Sequence, residues 1–375
     1  MLNILVTGSA GFIGRNLVHA LNHTRECTVW EFDRDSSAAQ LGAALARADV
    51  VYHLAGENRP PDPADFEAVN VGLTRAIVKT LADLKRRPRL IFTSSIQAEN
   101  DSPYGKSKCK AEGELRWFAE TTGCQVVTYR LKNVFGKWSR PNYNSVVATF
   151  CHNVARDLPI TVNDPNRVLD LVYIDDVVAA FLNDLNRPLS AGFSYADVPV
   201  SYRCTVGDLA TTIQGFRQSR LNGRLPDFAS RLTRSLYATY LANLEQDDFA
   251  YVLETKVDHR GTLAELLKSD HIGQVFISTT KPGVTRGNHF HHTKAEKFLV
   301  LKGDAEIRFR HVLSEEIVRY RVSGSEFRVL DIPPGYTHAI QNVGDSELVV
   351  LFWANEVFNP NRPDTYLLEV ENETT

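Results

Sequence analysis

A chain of 375 residues is too long for one ordinary hydrophobic core and points to two domains. Its 43% hydrophobic and 23% charged residues suit a soluble globular protein, and a formal net charge of −3 offers no basic field for nucleic acid or an anionic membrane. No apolar run approaches the roughly 20 residues that span a bilayer. Cys27, Cys109, Cys124, Cys151 and Cys204 form no C-x-x-C pair and are odd in number, so reduced thiols in a cytoplasmic protein are expected.

The first predicted strand, "NILVTG", runs directly into a glycine-rich turn without the basic segment and cleavage site of a secretory leader. It is followed by "TVWEFD", "DVVYHLAG", "RLIFTSS" and "QVVTYRL". These runs are almost wholly apolar, as strands buried on both faces of a parallel sheet require. Segments such as 103–122 between them have helical periodicity, so the first half reads as a Rossmann-type, doubly wound α/β sheet. Residues 205–250 read as helical and polar. From about residue 274 the texture changes to short strands separated by Gly, Pro or Asp, which predicts an all-β sandwich or barrel. The expected domains are 1–245 and 246–375.

Gly8, Gly11 and Gly14 form G-x-x-G-x-x-G after the first strand and at the start of a helix, with Phe12 and Ile13 between them. Such a turn lets the backbone approach a pyrophosphate seated on the helix N-terminus. Asp33 and Arg34 close the second strand, where an acid bonds an adenosine ribose and an arginine favours a 2′-phosphate. The spacing leaves NAD and NADP both open. Leu54, Ala55 and Gly56 end another strand where the dinucleotide would lie. Tyr104 and Lys108 stand at i, i+4 on one helix face, alone no more than an exposed pair. With the glycine turn and "TSS" at 93–95 they become a proton-transfer set, the ammonium lowering the phenol's pKa.

This assembly resembles the extended short-chain dehydrogenase/reductase family over about residues 1–200. The resemblance implies nucleotide-sugar substrates. Ser95 (rather than Ser94) would polarise the substrate oxygen, Tyr104 donate the proton and Lys108 position the nicotinamide ribose. Asn133 in "LKNVFG" matches a substrate-contacting asparagine, and "VYIDDVVAAF" a late family signature. Two departures stand out. Only nine positions separate Ser95 from Tyr104, where the family normally carries a much longer loop. The usual arginine before D-x-V-Y-x-D-D is Leu169, with Arg167 a substitute for phosphate contact.

In "GNHFHHTKAEKFLVLKG", His289 and His291 alternate on one predicted strand and share a face, with His292 on the other. Glu296 follows, and His338 comes 42 residues later in "PPGYTHAIQN". Three imidazoles and a carboxylate suit Zn²⁺, Fe²⁺, Mn²⁺ or Ni²⁺, with zinc favoured. Both segments resemble the two cupin motifs, over about residues 280–355. "VDHRGTLAEL" and "TRGNHF" also resemble the opening of the dTDP-4-keto-sugar 3,5-epimerases, in which the corresponding histidine is a base. His289 is read as a ligand, with the base as the rival role. Lys297, Tyr320 and Tyr336 are candidates for proton transfer.

In domain order the whole chain is similar to a family of bifunctional capsular-polysaccharide enzymes. That resemblance implies C3 epimerisation of a UDP-2-acetamido-2,6-dideoxy-4-ketohexose by the cupin, then C4 reduction with NADPH in preference to NADH. The expected product is UDP-N-acetyl-6-deoxy-L-talosamine, a precursor of UDP-N-acetyl-L-fucosamine. It further implies a homodimer, a zinc-bearing cupin, and no nucleic-acid or membrane partner. The other reading is a single-activity 4-keto-sugar reductase whose cupin serves structure or dimerisation.

Overall fold

The run Leu2–Thr7 forms β1, with Leu5 packed against one sheet face and Ile4 and Val6 against the other. Apolar side chains on both sides of a strand demand helices on both sides of its sheet. The computed structural model, which describes residues 1–24, 27–60, 62, 64–185 and 190–371, has that layering. After β1 come α1 (Phe12–Thr24), β2 (Cys27–Phe32), α2 (Ala38–Arg47), β3 (Val50–His53), α3 (Leu73–Asp83), β4 (Arg89–Ser95), α4 (Pro103–Thr122) and β5 (Gln125–Leu131). Next are β6 (Asn133–Phe135), α5 (Val146–Ala155), β7 (Val168–Tyr173), α6 (Ile174–Asp184), β8 (Gly192–Ala196), β9 (Tyr202–Thr205), α7 (Val206–Asn222) and α8 (Arg231–Leu241).

The main sheet has the order β2-β1-β3-β4-β5-β8 and every pairing in it is parallel. Its five sequence-predicted strands are all present. The order of strand addition reverses between β1 and β3, with β2 on one side of β1 and β3 onward on the other, the switch point beside which such folds bind ligands at their strands' carboxyl ends. Side chains of α2, α3 and α4 fill one face, with Leu45, Ile77 and Phe118 fully buried. Side chains of α1 and α6 fill the other, with Leu17 and Phe181 fully buried. A smaller sheet, β6-β7-β9, lies beyond β5 in the chain.

The β-rich remainder contains β10 (Thr255–Asp258), β11 (Gly261–Ser269), β12 (Gly273–Thr280), β13 (Thr285–Phe290), β14 (Glu296–Lys302) and β15 (Asp304–His311). It continues through β16 (Ile317–Ser323), β17 (Val329–Ile332), β18 (Tyr336–Asn342), β19 (Leu348–Ala354) and β20 (Tyr366–Leu367). Two antiparallel sheets result, β10-β11-β12-β19-β14-β17 and β16-β15-β18-β13-β20. Along β19, Leu348, Val350, Phe352 and Ala354 are buried and the residues between them are not, the period-two pattern of a strand covering a core. Phe352 stacks on Phe276 at 4.8 Å and meets Phe298 edge-on at 4.6 Å. Removing such a ring costs about 3–5 kcal/mol.

The chain divides at three points rather than one. Residues 1–213 with 234–245 form one compact unit and 214–233 with 246–375 the other, so the expected boundary at 245 is the last of the crossings. Backbone and charge hold 214–233 to the second unit. The Leu225 N–H donates to the Lys268 carbonyl and the Lys268 N–H to that of Gly223, both at 2.8 Å. The Arg224 guanidinium reaches both Asp270 oxygens at 2.8 and 2.9 Å.

Candidate functional site

At the switch point of the parallel sheet lies a cavity of about 530 Å³. Gly8, Gly11, Phe12, Ile13 and Gly14 line one wall, at the N-terminus of α1, whose first N–H groups have no partner within the helix. A Cβ on Gly14 would fall 2.0 Å from the Gly8 carbonyl oxygen, and one on Gly8 only 2.7 Å from the Ala55 backbone. The cradle is therefore built for backbone approach, and it fits a dinucleotide pyrophosphate. Leu54 and Gly56 also line the cavity, while Ala55 packs behind Gly8 and its N–H donates to Thr7 Oγ1 at 3.3 Å. Asp33 is turned onto the glycine loop, accepting from the Ala10 N–H at 2.7 Å and from the Arg34 N–H at 2.8 Å. The Arg34 side chain is largely exposed at the cavity edge and donates to Glu57 Oε2 at 3.1 Å.

Ser95, Tyr104 and Lys108 meet on the same cavity. Ser95 ends β4, and a 3-10 turn over Ile96–Glu99 takes up the short connection to α4. Ser102 caps α4 by accepting from the Gly105 N–H, and Pro103 opens it, which fixes Tyr104 and Lys108 in the first turns. Lys108 is buried and its Nζ donates to the Thr93 carbonyl at 3.0 Å. Burial pushes the Lys108 ammonium down to about 8, with Glu112 acting against that. The Tyr104 phenol departs from expectation: burial raises its pKa, and the hydrogen bond with Ser95 only partly offsets this.

The two serines are separated by their partners. Ser94 donates to Glu112 Oε1 at 2.5 Å, and Arg130 grips the same carboxylate at 3.0 and 2.7 Å. The Tyr195 hydroxyl adds a bond at 2.8 Å to Glu112 Oε2. Both serines line the cavity, but Ser95 is the one hydrogen-bonded with Tyr104. Glu112, a buried acid one helical turn beyond Lys108, has a sequence signal in that i, i+4 spacing which motif reading passes over.

Asn133 lines the opposite wall, its Nδ2 donating to the Asp170 carbonyl at 2.9 Å across the β6–β7 pair. Arg167 does not join the cavity lining. A turn in which the Asn166 and Arg167 N–H groups donate to Asp164 leaves it exposed, ahead of β7. Arg15, Arg34, Lys132 and Arg140 are cationic side chains that do line the cavity. Glu57 and Tyr143 were not foreseen: the Tyr143 hydroxyl donates to Glu57 Oε1 at 2.6 Å, joining the β3 end to the 138–147 wall.

In the β-rich unit, His289, His291, Glu296 and His338 bring one ligand atom each within 4.8 Å of one another. His289 and His338 are cross-strand partners on β13 and β18. His291 lies just past the end of β13 rather than within it, after a register shift between Gly287 and His289. Gly287 has φ +104°, and a Cβ there would fall 2.6 Å from the His338 carbonyl. Glu296 comes from β14 in the other sheet, its Oε2 3.5 Å from His291 Nε2 and 3.6 Å from His338 Nε2. His291 Nδ1 bonds the Asp364 carbonyl at 2.6 Å and His338 Nδ1 that of Tyr336 at 3.3 Å. Both Nε2 atoms are buried without a hydrogen-bond partner.

Orphaned imidazole nitrogens aimed at a carboxylate fit a divalent ion. Burial, then His289, pushes His338 down to about 4, and burial also lowers His289, so both imidazoles are neutral at pH 7. Burial raises Glu296, but His291 outweighs it and keeps the carboxylate ionised. His292 stands apart, exposed, against Phe290 and Tyr366. Lys297 is ion-paired to Asp331, and Tyr320 is exposed on β16.

Residues 4–192 match the NAD dependent epimerase/dehydratase family and residues 256–366 the polysaccharide biosynthesis C-terminal domain. The chain belongs to the NAD dependent epimerase/dehydratase family, with a C-terminal cupin domain. Over 98% of its length and 99% of the relative's it is 45% identical to the UDP-2-acetamido-2,6-beta-L-arabino-hexul-4-ose reductase of Pseudomonas aeruginosa. It is similar to the crystal structure of the capsular polysaccharide assembling protein CapF from Staphylococcus aureus, at 44% identity and a TM-score of 0.91, covering 98% of this chain and all of that one. Over 31% of its length and 84% of the relative's it is 25% identical to the spore coat polysaccharide biosynthesis protein SpsL of Bacillus subtilis. No helix among the described residues is long and apolar enough to cross a membrane.

Proposed function

We propose that this chain is a nucleotide-sugar 4-ketoreductase of polysaccharide biosynthesis that uses NADPH, and that its cupin domain first epimerises C3 of the same UDP-2-acetamido-2,6-dideoxy-4-ketohexose. The convergence of Ser95, Tyr104 and Lys108 on one cavity with the glycine cradle carries the reductase half. The dinucleotide, when bound, supplies the hydride. Ser95 holds the C4 carbonyl oxygen, and Tyr104 gives it the proton. Lys108 orients the nicotinamide ribose. Gly8, Gly11, Phe12, Ile13 and Gly14 receive the pyrophosphate, with Leu54, Ala55 and Gly56 closing the cradle. The exposed Arg34 guanidinium, beside an Asp33 already engaged by the loop, favours a 2′-phosphate. Asn133 faces the sugar.

A ketone at C4 acidifies the C3 hydrogen because the carbanion delocalises into an enolate. His289, His291, Glu296 and His338 would hold zinc, whose charge would stabilise an enolate oxygen. Reduction at C4 removes that acidity, so epimerisation comes first. The product is UDP-N-acetyl-6-deoxy-L-talosamine, made by a cytoplasmic homodimer.

The test is mass spectrometry and NMR of the product formed from the UDP-4-keto-6-deoxy-HexNAc, with and without NADPH, in D₂O. Deuterium at C3 without NADPH, and a reduced C4 with it, is expected. A second reading, a reductase with a structural cupin, draws on the near-complete burial of His291 and His338. It predicts reduction without C3 exchange in that same experiment.

A further inference from the structure

Asp364 lies in the coil before β20, 73 positions beyond His291 and outside every motif of the sequence. Its backbone carbonyl takes the His291 Nδ1 at 2.6 Å. Its carboxylate accepts the N–H groups of His292, Thr293 and Lys294 at 3.0, 2.9 and 2.8 Å, and the Thr293 hydroxyl at 3.0 Å. The buried Lys294 returns the contact, donating through Nζ to the Pro363 carbonyl at 2.7 Å and Thr365 Oγ1 at 3.3 Å. The next N–H, that of Ala295, donates to Asn355 Oδ1 at 3.1 Å. Every N–H between His291 and Glu296 is thereby bound by a side chain.

That connector joins a ligand beside one sheet to a ligand on the other. Its length and shape set the separation of two donor atoms that a metal must meet within a few tenths of an ångström. Asp364 also holds φ +43°, a conformation that glycine adopts at less cost. Backbone strain of this kind persists where the surroundings over-determine it, and here a four-donor clasp on one carboxylate supplies the determination.

We infer that Asp364 is the positioning residue of the proposed metal centre: its carbonyl orients the His291 ring, leaving Nε2 as the ligand atom, and its carboxylate fixes the connector to Glu296. The inference rests on the metal reading above. Outer partners of this type typically govern metal affinity by roughly 10–100-fold.

The experiment measures zinc affinity by competition with a chromophoric chelator on the full-length protein, alongside the melting temperature of the metal-free form. Asp364→Gly removes the carboxylate while suiting the positive φ. It is expected to weaken zinc binding by roughly 10–100-fold with little change in metal-free melting. Asp364→Asn, which keeps one oxygen acceptor, should fall between, and carries the test if the glycine variant does not fold. Wild type binding about one equivalent beside variants within about two-fold of its affinity overturns this inference alone. Equal losses of metal-free and zinc-bound stability, without loss of affinity, also overturn it by reducing Asp364 to a structural clasp. A wild-type protein that takes up no zinc overturns the metal reading, and this inference with it.

Discussion

The two sites are assembled by opposite routes. In the parallel unit Ser95, Tyr104 and Lys108 come from one strand end and the first turns of the next helix, so a stretch of 14 residues carries the set. In the β unit the four candidate ligands come from β13, its exit, β14 and β18, across two sheets. A local set depends on caps and one short connection. A dispersed set depends on register, bulges and connectors. Losing a contact in the first should alter chemistry with little loss of fold, whereas losing one in the second should alter ion binding and, through it, the stability of the ion-bound form.

The sharpest break of that contrast is Tyr104→Phe. Reduction should fall by roughly 10²–10⁴-fold while C3 deuterium exchange and the metal-free melting temperature stay unchanged. Loss of both activities would end the two-site division. His338→Ala should act on the other side, leaving one equivalent of zinc no longer retained through gel filtration and the thermal shift on zinc addition abolished. In wild type that shift reflects about 2.7 kcal/mol when zinc is at about 100 times its dissociation constant.

The pH profile sharpens the comparison further. Lys108 is held near 8 by burial, so the ammonium, and with it reduction at saturating cofactor, should decline above about pH 8. Stability moves the other way. Between about 8 and the ordinary lysine range the unfolded chain binds more protons than the folded one, so the contribution of Lys108 to stability rises with pH. Glu112→Gln removes the group that keeps Lys108 charged and should shift the alkaline limb of kcat/KM to lower pH. An unmoved limb would assign it to another group. The smallest effect is expected at the exposed Arg34: Arg34→Ala should reduce the preference for NADPH over NADH by about ten-fold, read from kcat/KM for each cofactor.

What the sequence revealed follows the same divide. The glycine turn, the Tyr104–Lys108 spacing and the apolar strands are contiguous signals, and the residues appear together in the fold. The strands β10, which is exposed, and β11, which is half-buried, escaped because their lysine- and glutamate-bearing sequences lack clean alternation. The place of His291 beyond β13 was hidden because a bulge at Gly287–His289 leaves no period of its own. Arg167 lies outside the cavity lining, after a turn at Asp164 that a motif offset cannot show. Asp364 is reached only through tertiary folding, since nothing local distinguishes it from any aspartate after a proline.

His289 and His338 face each other in the β13–β18 ladder, with Gly287 absorbing the extra residue beside them. A slip of one position would send one imidazole to the opposite face of its sheet. An ion captured by this cluster would therefore bind only chains whose ladder has closed in frame, and would shift the population toward that register by mass action.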